Sequence, residues 1–273
     1  MNVAPRIDLP ESVHGLAERF ARDGYAVVRG LIPRPIVDDV RDLLEAYVDG
    51  AVAALVESFG VSDRAELFAR LAELQAGDRA AELDLQTMNV ARGLFPLEIR
   101  MSEQLRAVAF DPTVRAAVAE LVGSDDLRMH MPPTARHIAN GNVAAPVPAH
   151  QDVSYNRHMS DFITMWSPFT TIDEACGGVG IYTGSNEPRE QAAEQSGFWL
   201  GGITADEETL IHPLLEPGDV LFLNKWIVHR SMPNRSDRTR TSIDYRFFGP
   251  PDTSTKHVLD VTTGIVHAPP AMP

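Results

Sequence analysis

Apolar positions in the first half of the chain recur at helical spacing. Ile36, Val40, Leu43, Leu44 and Tyr47 share one face of a helix predicted over about 34–58. Leu67, Phe68, Leu71 and Leu74 mark another over about 63–76. The stretch "DPTVRAAVAELVG" (111–123) carries its own punctuation: Asp111 as N-cap, Pro112 at the first helical position, Gly123 at the stop. These stripes are core-facing surfaces rather than functional ones. Ahead of them, "DGYAVVRGLI" (23–32) reads as a short strand, opened by Gly24 and favoured by Val27 and Val28. From about residue 126 the texture changes to short β-prone runs between Gly, Pro and Asn. They are "LRMHMPPTARHIA", "DFITMWSPFTTID", "GGVGIYTGS", "DVLFLNKWIVHRS" and "RTRTSIDYRFFG". Many short strands with turns between them predict a β-sandwich or barrel with helices packed outside it. No linker, repeat or low-complexity segment interrupts the chain. The expectation is one domain: helical support and part of a substrate pocket in 1–125, a β core with the site in 126–250, and a tail in 251–273.

Composition narrows the class. At 273 residues, 44% hydrophobic and 23% charged, the chain suits a soluble globular domain with a substantial core. No run reaches the length of a membrane span, and the opening "MNVAPRIDLPESVH" lacks a basic flank followed by an apolar core. The single cysteine, Cys176, allows no internal disulfide and fits a reducing compartment, so a cytoplasmic location is expected. A net charge of −14 argues against nucleic acid or an anionic membrane as partner and leaves a small molecule. The oligomeric state is left open.

The candidate chemistry begins at "AHQDVSYN" (149–156). On extended chain, residues two apart point to one face, so His150 and Asp152 aim an imidazole and a carboxylate at one point. A helix places them about 200° apart, so the pair works as a chelate only where the backbone is extended. A third ligand comes from among nine histidines. His14, His257 and His267 lie in terminal regions, His130 and His137 on an earlier strand, His158 in a loop, and His212 ahead of "EPGDV". His229 ends the apolar strand "DVLFLNKWIVH". A lone His at a strand end is usually structural, but the residues that follow raise its standing. "HRSMPNRSDRTRTSIDYRF" reads as a hairpin turning through "PNRSD", in which position 229 pairs with 240. Arg240 then projects beside His229, with Ser231 and Ser242 on the same face. An Arg cannot ligate a metal but can clamp a carboxylate through its planar fork. Two His and one carboxylate with open positions fit non-haem Fe(II), and zinc accepts the same donors. The flanking Arg and Ser favour iron with a chelating keto acid.

Taken together, "FARDGYAVVRGLIPRPIVDDVRDLL", "AHQD", "DEACGGVGIYTGSNEP", "LEPGDVLFLNKWIVHRSMPN" and "RTRTSIDYRF" resemble, in order and spacing, the phytanoyl-CoA dioxygenase-like branch of the Fe(II)/2-oxoglutarate oxygenases. The resemblance runs from residue 20 to about Phe248. It implies a double-stranded β-helix, a cupin-like jelly roll, with helices bracing one sheet. It implies that His150, Asp152 and His229 bind Fe(II), that Arg240 holds the C5 carboxylate of 2-oxoglutarate, that Ser231 and Ser242 hydrogen-bond it, and that Trp166 lines the same pocket. It further implies that 2-oxoglutarate and O2 are co-substrates, giving succinate and CO2 while a substrate C–H is oxidised. Hydroxylation is the default; relatives also epoxidise, desaturate, cyclise or epimerise. Asp152 disfavours halogenation, for which relatives replace the carboxylate with a small residue. The sequence departs from the family pattern twice. "TGSN" (183–186) replaces a more usual Pro-Gly-Ser-His, and "PPTARHIANG" lacks the upstream Gln or Lys of some relatives, leaving Arg136 or His137 to reach the co-substrate.

The substrate pocket is expected to draw on "LQTMNVARGLF" (85–95), on "VSYNRHM" with Tyr155 and Asn156, and on the connection 187–213. At about 27 residues the last is long enough for a lid, with Phe198 and Trp199 as aromatic contacts or loop anchors. Nothing resembles a cradle for CoA phosphates. The Ala- and Arg-rich composition of a high-GC bacterial genome points to a small metabolite or natural-product intermediate. Two other readings need less: a metal-dependent cupin-type enzyme without 2-oxoglutarate, which has no use for Arg240 and Ser242, and a non-catalytic jelly-roll binding module.

Overall fold

The computed structural model describes residues 15–76, 83–196 and 198–269; His14 lies outside them. Helix α1 (Leu16–Asp23) ends on Gly24 at φ 77°, which turns the chain directly into β1 (Tyr25–Val28). That cap removes the first two residues of the predicted 23–32, and a turn at Arg29 and Gly30, the latter at φ 57°, ends the strand four residues early. Helices α2 (Arg34–Phe59) and α3 (Arg64–Ala76) follow the predicted apolar stripes within a residue at each end. Then come α4 (Leu85–Arg92), α5 (Leu97–Arg100), α6 (Glu103–Phe110) and α7 (Pro112–Val122). Asp111 caps α7 as expected, accepting from the backbone N–H of Thr113 and Val114 at 2.9 and 3.1 Å.

The β region is more broken than its five apolar runs suggested. The first run splits at Pro132 and Pro133, which lack backbone donors, into β2 (Arg128–His130) and β3 (Thr134–Ile138). A single turn, α8 (Asp152–Tyr155), precedes β4 (Ile163–Pro168) and β5 (Val179–Tyr182). The connection 187–213 holds a small hairpin, β6 (Glu194–Ser196) with β7 (Trp199–Gly201), and ends in β8 (Leu210–Ile211). The run "DVLFLNKWIVHRS" is two strands, β9 (Val220–Asn224) and β10 (His229–Ser231). Asn224 breaks it, its side-chain oxygen accepting from the N–H of Trp226 and Ile227. Strand β11 (Arg240–Phe248) follows, and the expected tail adds β12 (Val258–Asp260) and β13 (Val266–His267).

The strands form a double-stranded β-helix of two facing antiparallel sheets. The major sheet runs β1-β9-β4-β11-β2-β12-β13, with β3 also paired to β11; the minor sheet is β10-β5-β8. Side-chain alternation divides the major sheet between two cores. Ala26, Val28, Ile163, Met165, Val220, Phe222, Ile243, Tyr245 and Phe247 face the helices. Val27, Trp166, Leu221 and Leu223 face the minor sheet, where they meet Val179 and Ile181. The inner face therefore carries both a small apolar core and the even-numbered positions of β11.

The predicted hairpin between His229 and Arg240 is not formed. Strand β10 pairs with β5, His229 opposite Ile181, whereas Arg240 opens β11 opposite Ile138. The turn "PNRSD" is an inter-sheet corner. Asn234 organises it, donating to the carbonyls of Ile138 and Arg238 and accepting from Ser236. Gly177, at φ 64°, passes so close that a Cβ there would lie 2.3 Å from the Pro233 carbonyl oxygen. Arg240 and Ser242 nevertheless reach the interior, because the parity of a strand does not depend on its partner.

Candidate metal and co-substrate site

His150 and His229 meet as an isolated antiparallel bridge, each N–H donating to the other's carbonyl at 3.0 Å. Backbone pairing thus fixes one imidazole against the other, ring centroids 4.3 Å apart. His150 and Gln151 are extended, as the two-residue spacing requires, but Asp152 is the first residue of α8 rather than part of a strand. Gln151 points away from the pair and pins the loop, donating to the carbonyls of Trp226 and Arg189 and accepting from Gln191 N–H. One ligand atom from each of His150, Asp152 and His229 lies within 4.8 Å of the others, and all three residues are buried.

The protonation pattern fits a cation. His150 Nδ1 is 2.8 Å from the Pro148 carbonyl oxygen, and His229 Nδ1 is 3.0 Å from that of Ile227. A carbonyl only accepts, so each Nδ1 carries a proton and each Nε2 is the ring nitrogen turned toward a metal. Burial, reinforced by the neighbouring His229, pushes His150 down to about 3, so it is neutral at physiological pH. Burial alone would raise Asp152, but the Arg246 guanidinium, the two imidazoles and the Thr164 hydroxyl outweigh it and hold the carboxylate ionised. Arg246 donates to Asp152 Oδ1 at 3.3 Å and to the Thr134 hydroxyl at 3.1 Å. By strand parity Arg246 shares the inner face of β11 with Arg240, but no spacing in the sequence connects it to Asp152.

Around this triad lies a cavity of about 280 Å³, lined among others by Trp166, Val179, Ser231, Arg240 and Ser242. Arg240 is buried; its Nη1 donates to the carbonyls of Gly178 and Met232 at 2.8 and 3.3 Å, and its Nε has no partner. Among the described residues no carboxylate comes within ion-pair distance of it. Burial pushes it down to about 10. A buried guanidinium in that condition calls for an anion. Arg136 is in the same state, donating to the Ala145 carbonyl and stacked on the Trp199 ring at 4.2 Å. Burial also raises the Asp244 carboxyl, which lines the cavity between Ser242 and Arg246.

Other expectations separate here. Arg136 reaches the cavity and His137, its neighbour in β3, turns away to meet Phe95 edge-on at 5.1 Å. Burial pushes His137 down to about 3. A depressed histidine stabilises the fold above its unfolded value of about 6.5, and that contribution is lost as pH falls toward 3. Each such group costs about 1.4 kcal/mol per pH unit in that window. His137→Leu is therefore expected to flatten the acid fall of the melting temperature between pH 6 and 4; an unchanged slope would mean that this ring is not buried neutral. Tyr155, Asn156 and Trp199 line the cavity, whereas Phe198 is 44% exposed and stacked by Arg92. The segment 85–95 packs behind β3 and contributes only Arg92 to an adjoining groove. Asn186, at the departure from the Pro-Gly-Ser-His pattern, makes a turn contact, donating to the Arg22 carbonyl.

Residues 20–242 match the family described as Phytanoyl-CoA dioxygenase (PhyH). The chain belongs to the phytanoyl-CoA dioxygenase family. Among its relatives is the 1-deoxypentalenic acid 11-beta-hydroxylase of Streptomyces arenae, 39% identical over 100 residues, 33% of this chain. That alignment spans 35% of the hydroxylase. The solved structures that resemble this phytanoyl-CoA dioxygenase family member include the epimerase SnoN in complex with Fe3+, alpha ketoglutarate and nogalamycin RO. SnoN is 19% identical with a TM-score of 0.59, over 90% of this chain and 86% of that one. EvdO2 from Micromonospora carbonacea var. aurantiaca, complexed with 2-oxoglutarate, is 14% identical with a TM-score of 0.57, over 93% and 95%. At these identities the structural likeness carries the fold, the expected jelly roll.

Proposed function

We propose that this chain is an Fe(II)/2-oxoglutarate-dependent dioxygenase that oxidises, most simply hydroxylates, a small metabolite or natural-product intermediate. The observation that carries the reading is the pairing of a buried His-Asp-His triad with a buried, carboxylate-free Arg240 in one cavity. A cupin-type enzyme without a keto acid has no use for the second feature, and a binding module has no use for the first. The naming of a similar Streptomyces protein as a hydroxylase and of EvdO2 as a 2-oxoglutarate complex supports the reading. When bound, Fe(II) with 2-oxoglutarate supplies the power to reduce O2, release succinate and CO2, and oxidise a C–H bond.

The residues divide that work. His150 and His229 offer Nε2 and Asp152 a carboxylate, leaving positions for co-substrate. Arg246 and Thr164 hold Asp152 in place and ionised. Arg240 receives the C5 carboxylate through its fork, beside the hydroxyls of Ser231 and Ser242. Trp166, Val179 and Leu223 form a dry wall that strengthens those contacts. We assign the reaction to a single oxygenase domain. We place it in the cytoplasm on its lone Cys176; among the described residues no helix is long and apolar enough to cross a membrane.

Segment 187–213 is proposed as the cover of the cavity. Trp199 Nε1 donates to the Ala144 carbonyl at 2.8 Å, Tyr155 donates to that of Leu200, and Ile203 N–H to that of Ala149. Trp199→Ala is expected to raise KM for substrate and the fraction of 2-oxoglutarate consumed without product, with iron affinity unchanged. Equal coupling in the variant would remove the covering role.

The reading as a whole is tested by anaerobic addition of Fe(II) and 2-oxoglutarate. A visible absorption that needs both is expected, followed by succinate on admitting O2. Absence of both outcomes with intact, metal-loaded protein would sink it.

A further inference from the structure

The protein carries a net charge of −14, yet its cavity is basic. Arg100, Arg136, Arg230, Arg240, Arg246 and Lys256 line it against two carboxylates, Asp152 and Asp244. A divalent metal and a dicarboxylate co-substrate cancel each other, so the proposed cofactors leave this surplus intact. Arg246 is committed to Asp152, and Arg230 to Glu207 at 2.9 Å. Arg136, opposite Ser242, lies with Arg240 at the end of the cavity given to the proposed co-substrate. Arg100 and Lys256 remain, and among the described residues neither has a carboxylate within ion-pair distance.

These two converge at the end of β11 opposite Arg240. Six residues of strand, about 20 Å, separate Arg240 from Arg246. Arg100 is brought there from α5 by donating through Nε to the Pro133 carbonyl at 2.7 Å, and it is close enough to Arg246 for the two to repel. Lys256 comes from the turn before β12. His130, at the end of β2, completes the group: 9% exposed, its Nδ1 without a partner, its ring 4.7 Å from that of His158. Like charges are not gathered around an unpartnered buried imidazole nitrogen without an anion to receive.

We propose that Arg100, His130 and Lys256, with Arg246 behind them, form a second oxyanion subsite. It takes a carboxylate or phosphate group of the organic substrate. The inference rests on the reading of the site as an oxygenase and specifies its substrate class. Arg246 touches both the subsite and Asp152, so the anionic group is held within a few bonds of the carbon presented to the metal. The anchor would fix which C–H is attacked by orienting the substrate from the side away from the co-substrate.

The test is a calorimetric titration with inorganic phosphate and with acetate. It is made on metal-free protein and on protein loaded with redox-inert Zn(II) and saturating 2-oxoglutarate, while the 15N resonances of its histidines are followed. Wild type should bind one of the two anions with 2-oxoglutarate still in place and shift the His130 signal; which anion binds distinguishes phosphate from carboxylate substrates. Arg100→Gln/Lys256→Gln should weaken that binding about tenfold or more, a loss of about 1.4 kcal/mol, while 2-oxoglutarate affinity stays within about threefold. Lys256→Gln alone, an exposed change, should weaken it partially and keeps the test valid if the double variant misfolds. Binding of neither anion by wild type, equal binding by the variants, or displacement of 2-oxoglutarate by the anion would overturn the subsite. Failure of wild type to bind 2-oxoglutarate with any metal would instead overturn the oxygenase reading, and the metal-free titration still decides the subsite.

Discussion

Asp152→Ala is expected to abolish turnover and also to destabilise the protein by about 3–5 kcal/mol, the range for removing one partner of a buried ion pair. Asp152 and Arg246 are both buried, and their contact at 3.3 Å is the only carboxylate contact of that guanidinium among the described residues. Truncation therefore removes a proposed metal ligand and strands a charge in one step. A ligand on an exposed pocket wall is removable without harm to the fold; burial beside a guanidinium makes Asp152 different. Asp152→Ala/Arg246→Met should recover much of the lost stability by removing the stranded charge, and none of the activity. His229→Ala should lose metal binding with a smaller stability cost, since its Nδ1 bonds a backbone carbonyl, that of Ile227, and its loss strands no buried charge. Denaturant midpoints and metal titrations of the three variants check this. Full turnover in Asp152→Ala would remove the triad assignment, and a double variant no more stable than the single would remove the ion-pair argument.

Much of this was legible from sequence because it depends on parity and local capping. Asp111, Pro112 and Gly123 delimit α7 by rules that need no tertiary information. His150 and Asp152 were found because two residues of extended chain are enough to aim two side chains together. Arg240 and Ser242 line the cavity, although the hairpin expected to bring them there does not exist. A tight hairpin and an inter-sheet corner draw on the same residues, Pro, Asn, Ser and Asp, and "PNRSD" satisfies both. What distinguishes them is where Asn234 sends its hydrogen bonds, and one recipient, Ile138, is 96 residues away. The same limit hid Arg100. It sits at the end of a four-residue helix with no motif around it, and only the fold brings it to Arg246. His130 was recognised as a strand residue, but its lack of a partner is a property of the packed cavity.

Arg240→Met is expected to weaken 2-oxoglutarate binding about 30- to 4,000-fold, the equivalent of about 2–5 kcal/mol for a desolvated charge contact. Iron affinity measured without co-substrate should not change, since Arg240 touches no proposed ligand. The effect on stability is a balance. Burial has pushed Arg240 down to about 10 from its ordinary 12.5, so keeping it charged costs about 3 kcal/mol. Removing it leaves the Gly178 and Met232 carbonyls without this donor, at about 1–3 kcal/mol. These nearly cancel, so the variant should melt close to wild type in the absence of co-substrate. The increase in melting temperature that 2-oxoglutarate gives wild type should largely disappear. Arg240→Lys keeps a charge but loses the fork and should fall between the two. If Arg240→Met binds 2-oxoglutarate as wild type does, the co-substrate is anchored elsewhere. Arg246 is then a poor substitute despite its parity, because Asp152 already occupies it. Arg136 is the better one: buried, facing the same cavity, opposite Ser242 in the β3–β11 register, and without a carboxylate of its own.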